Sequence, residues 1–503
     1  MDPELLDEQP TSGSLSRTGV PGLDNILRGG FTPNRLYLFE GVPGSGKTTL
    51  ALQFLLEGIR QGESVLYVTL SETEEELRAV AASHGWTLDG IAIRELTPSQ
   101  RAVAPEEDYT MFHPSEVELG ETIETVLNDV TSKSPTRVVF DSLSELRLLA
   151  GSALRFRRQI LALKQFFSGR NCTVILLDDL TAATTDLQVQ SIAHGVLRLE
   201  QLYPEFGAER RRLIVLKYRG MAYRGGYHDF SIFRGGLELY PRLVARDHPV
   251  LPPQQRLAST IPELDTLVGG GLERGTSTLI VGAAGTGKSS VAAQFVTAAA
   301  ERGEPGAMFI FDESVGTLLT RTTGLGIDLK KHVDSGLVRI HQVDPSELSP
   351  GEFSHAICRA VEERNASIVV IDSLNGYLNA MPEERFLIIH LHEILTYLGQ
   401  SGVATILIGA HQGLVGSNMQ SPVDASYLAD AVILMRYFET AGELRQAISV
   451  VKKRGGAHER TIRPFSLSSA GITIGPPMRD FRGILTGVPI RENNSWSTEH
   501  SGP

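Results

Sequence analysis

Gly41-Val42-Pro43-Gly44-Ser45-Gly46-Lys47-Thr48 and, 241 residues further on, Gly282-Ala283-Ala284-Gly285-Thr286-Gly287-Lys288-Ser289 decide how this 503-residue chain folds. Both obey G-x-x-x-x-G-K-[ST], a loop whose glycines let successive backbone N–H groups turn inward on phosphate oxygens. In that reading Lys47 and Lys288 reach the β- and γ-phosphates, and the hydroxyls of Thr48 and Ser289 ligate Mg²⁺. Gly44, Ser45, Gly46 and Thr49 complete the first cradle, and Gly285, Thr286, Gly287 and Ser290 the second. A lone match in a glycine-rich chain is a weak signal. Two matches at equivalent places in a repeated sequence predict a tandem ATP-binding protein.

The repeat extends well beyond the loops. Pro21-Gly22-Leu23-Asp24 answers to Pro262-Glu263-Leu264-Asp265, and the glycine pair Gly29-Gly30 to Gly270-Gly271. Val138-Val139-Phe140-Asp141-Ser142-Leu143 matches Val369-Val370-Ile371-Asp372-Ser373-Leu374, and Lys217-Tyr218-Arg219-Gly220 matches Lys452-Lys453-Arg454-Gly455. Length alone would suggest about three domains, but landmarks in one order mean one fold used twice. The predicted division is a polar tail (1–14), a first domain (15–243), a linker (244–256) carrying Pro249, Pro252 and Pro253, a second domain (257–490) and a polar tail (491–503).

Within the first unit, short apolar runs alternate with helical patterns. Strands are expected at Arg35–Glu40, Ser64–Leu70, Arg137–Leu143 and Cys172–Leu177, with helices at Lys47–Arg60, from Glu74, and at Arg155–Phe167. Runs apolar on both faces imply a parallel sheet covered on both sides. Closely spaced strands then follow at Val196–Gln201, Arg212–Lys217 and around Phe230–Phe233, an expected antiparallel extension. By analogy the fold class is α/β: two tandem RecA-like P-loop domains, each a mainly parallel sheet flanked by helices.

The bulk properties narrow the field. A net charge of -12 and a pI near 5.6 argue against a nucleic-acid coat or a binder of anionic membranes. Cys172 and Cys358 both sit in apolar segments, which predicts reduced thiols rather than a disulfide framework. The start Met1-Asp2-Pro3-Glu4 does not read as a signal peptide, and the apolar runs are too short to span a bilayer. The expectation is a cytoplasmic protein.

Hydrolysis needs more than a phosphate cradle: a metal anchor, a group that orients or deprotonates the nucleophile, and a cation at the γ-phosphate. Asp141 and Asp372 close apolar strands, where a carboxylate can hold Mg²⁺ or its water; the bland alternative is a helix cap. The base candidates follow the second strand of each lobe, expected beside the phosphate loop: Glu72 in the first, Asp312 and Glu313 in the second. There too helix capping competes, since Thr73 and Ser314 open helical patterns. Lys217 with Arg219, and Lys452 with Arg454, alternate along a strand and point to one face. Solvated edge charges would look the same, but recurrence in both lobes favours a cation offered to a neighbour's γ-phosphate, which requires a ring of subunits. His390 and His392 read as structural histidines of the helix Phe386–Leu398, Glu74-Glu75-Glu76 as a solvated first helical turn, and Arg210-Arg211-Arg212 as a solvated strand start.

These residues resemble the KaiC family, the double-lobed RecA-like ATPases and autokinases of circadian clocks and their bacterial relatives. The resemblance covers roughly residues 15–490. It rests on the paired phosphate loops, the segment Thr69–Thr73, both Lys-x-Arg-Gly motifs, and the stretch Asp424–Phe438 leading into Gly442–Arg454. It implies a homo-hexamer with ATP and Mg²⁺ held between neighbouring subunits, slow hydrolysis in the first ring, autophosphorylation in the second, and a KaiB-like partner protein. The implied catalytic residues are Lys47, Glu72, Lys288, Asp312 and Glu313. The metal would be held by Thr48, Asp141, Ser289, Asp312 and Asp372, and a neighbour's ATP would be contacted by Lys217, Arg219, Lys452, Arg454 and His458.

Ser426 falls on the first phosphoacceptor position of the family, Tyr427 replaces the second, and Ser421 matches a further hydroxyl, followed by Pro422 instead of the usual Asp. Ser71 stands where the family has the first of two glutamates, and the tail after Ile490 is short. Neither a two-site phosphorylation cycle nor an activator-driven oscillator is therefore carried over. Two other readings stay open at this point. One is a RecA- or helicase-like DNA-dependent ATPase, against which the acidic balance and the lack of a basic-aromatic strand path weigh. The other is a nucleotide-gated scaffold in which ATP only cements the ring.

Overall fold

The computed structural model describes residues 15–96, 124, 127–180, 187–205, 207–245, 255–379, 387–410, 426–440, 442–484 and 490–491. The tail 1–14, most of the segment expected to be a linker, Ser421, and the residues beyond Arg491 lie outside the described residues. The chain divides into two compact units, one ending at Arg242 and the other beginning at Leu243.

In the first unit, β1 (Leu36–Gly41), β2 (Val65–Thr69), β3 (Ile91–Glu95), β4 (Arg137–Asp141), β5 (Thr173–Asp178), β6 (Gly195–Leu202), β7 (Arg210–Tyr218), β8 (Tyr227–Phe233) and β9 (Gly236–Tyr240) form one sheet, ordered β3-β2-β4-β5-β1-β6-β7-β8-β9. The first six strands are mutually parallel; β7, β8 and β9 extend the sheet antiparallel. Every residue of β1 is buried, because alternate side chains serve cores on opposite faces. Tyr37 and Phe39 pack with Leu50, Phe54 and Leu55 of the helix Lys47–Arg60, and Leu36 and Leu38 join Phe156, Ile160 and Leu163 of the helix Ala153–Phe167 on the other side.

Two expectations need correction. The strand at Val196–Gln201 is not part of the antiparallel extension; it lies parallel to β1, and reversal begins one strand later. The strand predicted over Arg137–Leu143 stops at Asp141, and a helix runs Leu143–Ala150 with Leu143, Leu146 and Ala150 turned inward at helical spacing. Short β3 and β9 had no separate signal; in β3 only Ile91 is buried.

The second unit opens with a two-stranded ribbon, β10 (Arg256–Leu257) and β11 (Leu272–Glu273). Its main sheet contains β12 (Ser277–Gly282), β13 (Gly306–Ile310), β14 (Val338–Gln342), β15 (Ile368–Asp372), β16 (Ala404–Ala410), β17 (Ala431–Thr440), β18 (Glu443–Lys453), β19 (Arg463–Ser468) and β20 (Gly471–Ile474), ordered β14-β13-β15-β16-β12-β17-β18-β19-β20. Strand for strand this is the order of the first sheet. A last ribbon pairs β21 (Phe481–Arg482) with β22 (Ile490–Arg491). Leu243 and Ala245 pack into the core of this unit, where the Ala245 N–H donates to Glu393 at 3.0 Å.

Candidate nucleotide sites

Each phosphate loop leaves the C-terminal end of a central parallel strand and enters a 14-residue helix, Lys47–Arg60 or Lys288–Glu301. The N-caps, Gly46 and Gly287, sit at φ 96° and 95°, and Gly44 and Gly285 at φ 80°, in the left-handed region open to glycine. Neither cap makes a side-chain hydrogen bond, so the first-turn N–H groups face the loop as an anion cradle. The sequence pattern is realised in the backbone.

The two buried lysines differ in their partners. Lys47 Nζ donates to the carbonyls of Gly41 at 2.8 Å and Val42 at 3.0 Å, and pairs with Asp179 at 2.9 Å. Lys288 Nζ donates to the Ala283 carbonyl at 2.8 Å. Burial lowers the Lys288 pKa, and the charge of Asp372 partly restores it.

Asp141 and Asp372 close β4 and β15 at corresponding points. Thr48 Oγ1 donates to Asp141 Oδ2 at 3.3 Å, and the Ser289 hydroxyl bonds Asp372. Burial raises the Asp141 pKa against the 2.5 Å hydrogen bond from Tyr67; Asp179 raises it further. Met308 occupies the register position of Tyr67 in the second lobe, so that donor is missing there. Burial pushes Asp372 up to about 6, with the Ser289 bond opposing and the charge of Glu313 adding to it. Its Oδ2 is buried without a partner among the described residues. An orphaned carboxylate oxygen beside a P-loop hydroxyl suits Mg²⁺, which takes one or two protein ligands and completes its shell with phosphates and water.

The base candidates are also dressed differently. Glu72 is half-buried, and burial raises its pKa ahead of the charges of Asp141, Glu76 and Asp179; its Oε2 has no partner among the described residues. Thr69 fixes its backbone, accepting the Glu72 N–H at 3.0 Å and donating to its carbonyl at 2.7 Å. Helix capping falls to Thr73 and Ser314 instead, each accepting from a backbone N–H three residues on. Glu313 is gripped by Arg321 through two bonds of 2.8 Å, and Asp312 accepts the Ser373 hydroxyl at 2.5 Å.

The basic pairs hold carbonyls of the segment leading into β6 or β17. Lys217 Nζ donates to Gln190 at 2.6 Å and Ala193 at 2.7 Å, and Arg219 to Ser191 at 2.8 Å. In the second lobe Lys452 donates to Ser426 at 2.6 Å and Ala429 at 2.8 Å, and Arg454 to Tyr427 at 2.6 Å. Tyr427 is exposed and His458 half-buried. His390 is half-buried in its helix, its Nδ1 2.6 Å from the Tyr377 hydroxyl, and desolvation lowers its pKa to about 4; His392 is exposed. Arg211 and Arg212 pair with Glu209 and Glu200. Among the described residues no group of three His, Cys, Asp or Glu side chains is placed to hold a metal by itself, and no helix is long and apolar enough to cross a membrane.

Sequence reasoning missed Asp179, Tyr67 and Arg321. The only available signal was comparison between lobes, since Ala410, Met308 and Val80 stand at the matching positions.

The KaiC ATPase family model matches residues 16–244 and 257–479, one copy on each lobe. The chain belongs to the KaiC ATPase family. It is 28% identical over 510 residues to the circadian clock protein KaiC3 of Synechocystis sp., covering 99% of both chains. It is 28% identical to the circadian clock oscillator protein KaiC of Parathermosynechococcus lividus, over 96% of this chain and 90% of that one. To the protein of the same name from Thermostichus vulcanus it is 27% identical, over 96% and 93%. As a KaiC-family ATPase the protein is a nucleotide-binding protein with two RecA-like lobes.

Proposed function

We propose that this KaiC-family ATPase forms a homo-hexameric ring that binds MgATP at both lobes, hydrolyses it, and uses the second lobe to phosphorylate its own Ser426. The observation that carries the catalytic reading is the pair Asp141 and Asp372, each bonded by the hydroxyl after the phosphate lysine, with an oxygen of Glu72 in the first site and of Asp372 in the second unpartnered among the described residues. Thr48 with Asp141, and Ser289 with Asp372 and Asp312, would hold Mg²⁺, which would neutralise charge on the phosphates. Lys47 and Lys288 bind phosphate oxygens. Glu72 orients and deprotonates water in the first lobe. Glu313 or Asp312 takes the proton of the acceptor hydroxyl in the second.

The kinase reading draws on the tether between Lys452 and the carbonyls of Ser426 and Ala429, which fixes the acceptor segment to the basic strand. Lys217, Arg219, Lys452, Arg454 and His458 would reach a neighbour's ATP across the ring. Tyr427 and Ser421 are secondary acceptors, a KaiB-like protein is the proposed partner, and the cytoplasm the proposed location. Mass spectrometry after incubation with ATP and Mg²⁺ tests this directly. Phosphate on the peptide containing Ser426, lost in Glu313→Gln with Asp312→Asn, is expected together with a hexameric native mass. An unmodified peptide defeats the kinase reading, and a monomeric mass in saturating nucleotide defeats the ring.

A further inference from the structure

We propose that Asp179 is a built-in competitor of the γ-phosphate, which makes the first lobe favour ADP over ATP in a way the second lobe does not. The inference rests on Lys47 being a phosphate ligand. An ammonium has three donors, and the three on Lys47 go to the Gly41 carbonyl, the Val42 carbonyl and Asp179 Oδ1, at 2.8, 3.0 and 2.9 Å. Two of these acceptors are neutral, and a β-phosphate oxygen can replace one of them. The third is a carboxylate. A γ-phosphate oxygen beside the same ammonium meets a like charge and must displace it.

The surroundings make that displacement a side-chain motion. The backbone of Asp179 is held where its N–H meets Ser144 Oγ at 3.3 Å, and the preceding Asp178 is locked to Arg147 at 2.7 Å. The second lobe builds the same strand end: the Ala410 N–H donates to Asn375 Oδ1 at 2.8 Å, and Asn375 Nδ2 donates back to the Ala410 carbonyl at 3.1 Å. The matched registers of β5 on β1 and β16 on β12 put Gly409 and Ala410 where the first lobe has Asp178 and Asp179. With the same backbone and no carboxylate, Lys288 keeps donors for phosphate. Asp179 also sits close enough to Glu72 and Asp141 to raise the pKa of both, so a triphosphate arriving there adds charge to an acidic site.

The test is calorimetric titration of the full chain, in a Lys288→Ala background that silences the second site, with ADP and with the non-hydrolysable analogue AMP-PNP. Asp179→Asn is expected to tighten AMP-PNP about tenfold or more while ADP changes less than twofold. In a Lys47→Ala background, Ala410→Asp should do the reverse in the second lobe, weakening AMP-PNP relative to ADP. Equal changes for both nucleotides overturn the proposal. So does weaker binding of both by a folded Asp179→Asn protein, which would make Asp179 a support for Lys47. Failure of the underlying reading looks different: Lys47→Ala, with Lys288→Ala, would leave ADP binding unchanged.

Discussion

Replacing Arg321 by Gln asks whether the second-lobe base is held in reserve. Arg321 spends Nη1 and Nη2 on the two oxygens of Glu313, each at 2.8 Å. A carboxylate whose two oxygens accept from a guanidinium gives up much of that charge-assisted bonding when it takes up a proton. Hydrogen bonds to charged groups contribute about 1.5–3 kcal/mol. Arg321 is 36% exposed and Glu313 18%, so solvent screening brings the release to about 1–2 kcal/mol. At about 1.4 kcal/mol per factor of ten, that is roughly a 5- to 30-fold change in rate.

The assay is phosphate release at saturating ATP in a Lys47→Ala background, where only the second lobe turns over. Arg321→Gln is expected to raise kcat by that factor with KM little changed, and Arg321→Lys, one donor short of a fork, to fall between. The reciprocal change, Val80→Arg in a Lys288→Ala background, brings the same cation to Glu72 and should slow the first lobe. The reasoning is refuted if Arg321→Gln lowers kcat and lysine restores it, because the arginine would then be aiming Glu313 rather than restraining it. An unchanged kcat refutes it as well, by removing Glu313 from the rate-limiting step.

Other expectations follow from the same contrasts between lobes. Asp372, raised from 3.8 to about 6 by burial, stabilises the fold fully below pH 3.8, and the contribution of about 3 kcal/mol is lost as pH rises through 6. The Tm advantage of Asp372→Asn over wild type, measured by calorimetry with chelator present, should therefore grow from pH 5 to pH 8; a constant difference contradicts the shift. Arg137, fully buried, bonds both oxygens of Glu63 at 2.7 and 2.9 Å and the carbonyls of Arg17 and Phe54, so Arg137→Ala should cost about 3–5 kcal/mol of first-lobe stability by denaturant titration. Lys452→Ala removes the donor to the Ser426 and Ala429 carbonyls, and amide exchange between residues 426 and 431 should speed up while exchange in β12 does not.

The sequence made the repeated architecture legible because phosphate loops and doubly buried strands leave strong local signals. Asp141, Asp372, Glu72 and Glu313 were legible for a related reason, being acids at the ends of apolar runs. What was hidden depends on distance along the chain. Asp179 meets Lys47 from 132 positions away, through a parallel register that no local pattern announces. Tyr67 read as one more apolar strand residue, yet its hydroxyl is the donor that satisfies Asp141. The start of the antiparallel extension was misplaced because only pairing partners distinguish the direction of β6.

Duplication with divergence explains why the two lobes share a backbone and differ in electrostatics. Beneath the first phosphate loop, Glu40 is buried and answered by Arg198 at 2.6 Å; in the second lobe the corresponding register pair is Val281 and Leu434. Arg147 answers Asp178, Tyr67 answers Asp141, and Lys47 answers Asp179, whereas among the described residues Asp372, like Glu72 of the first lobe, keeps an oxygen with no donor. Each compensated charge in the first lobe lowers the cost of burial without a ligand, since a buried charge is tolerated when paired. Among the described residues the metal-side carboxylate of the second lobe has an oxygen left to be satisfied from outside, while its base is held by Arg321. Nucleotide binding should consequently stabilise the second lobe more than the first, because it supplies counter-charges that the first already carries. Hydrogen exchange with and without MgATP reads this lobe by lobe: greater added protection in β15 than in β4 is expected, and equal protection would break the link between pairing and ligand dependence.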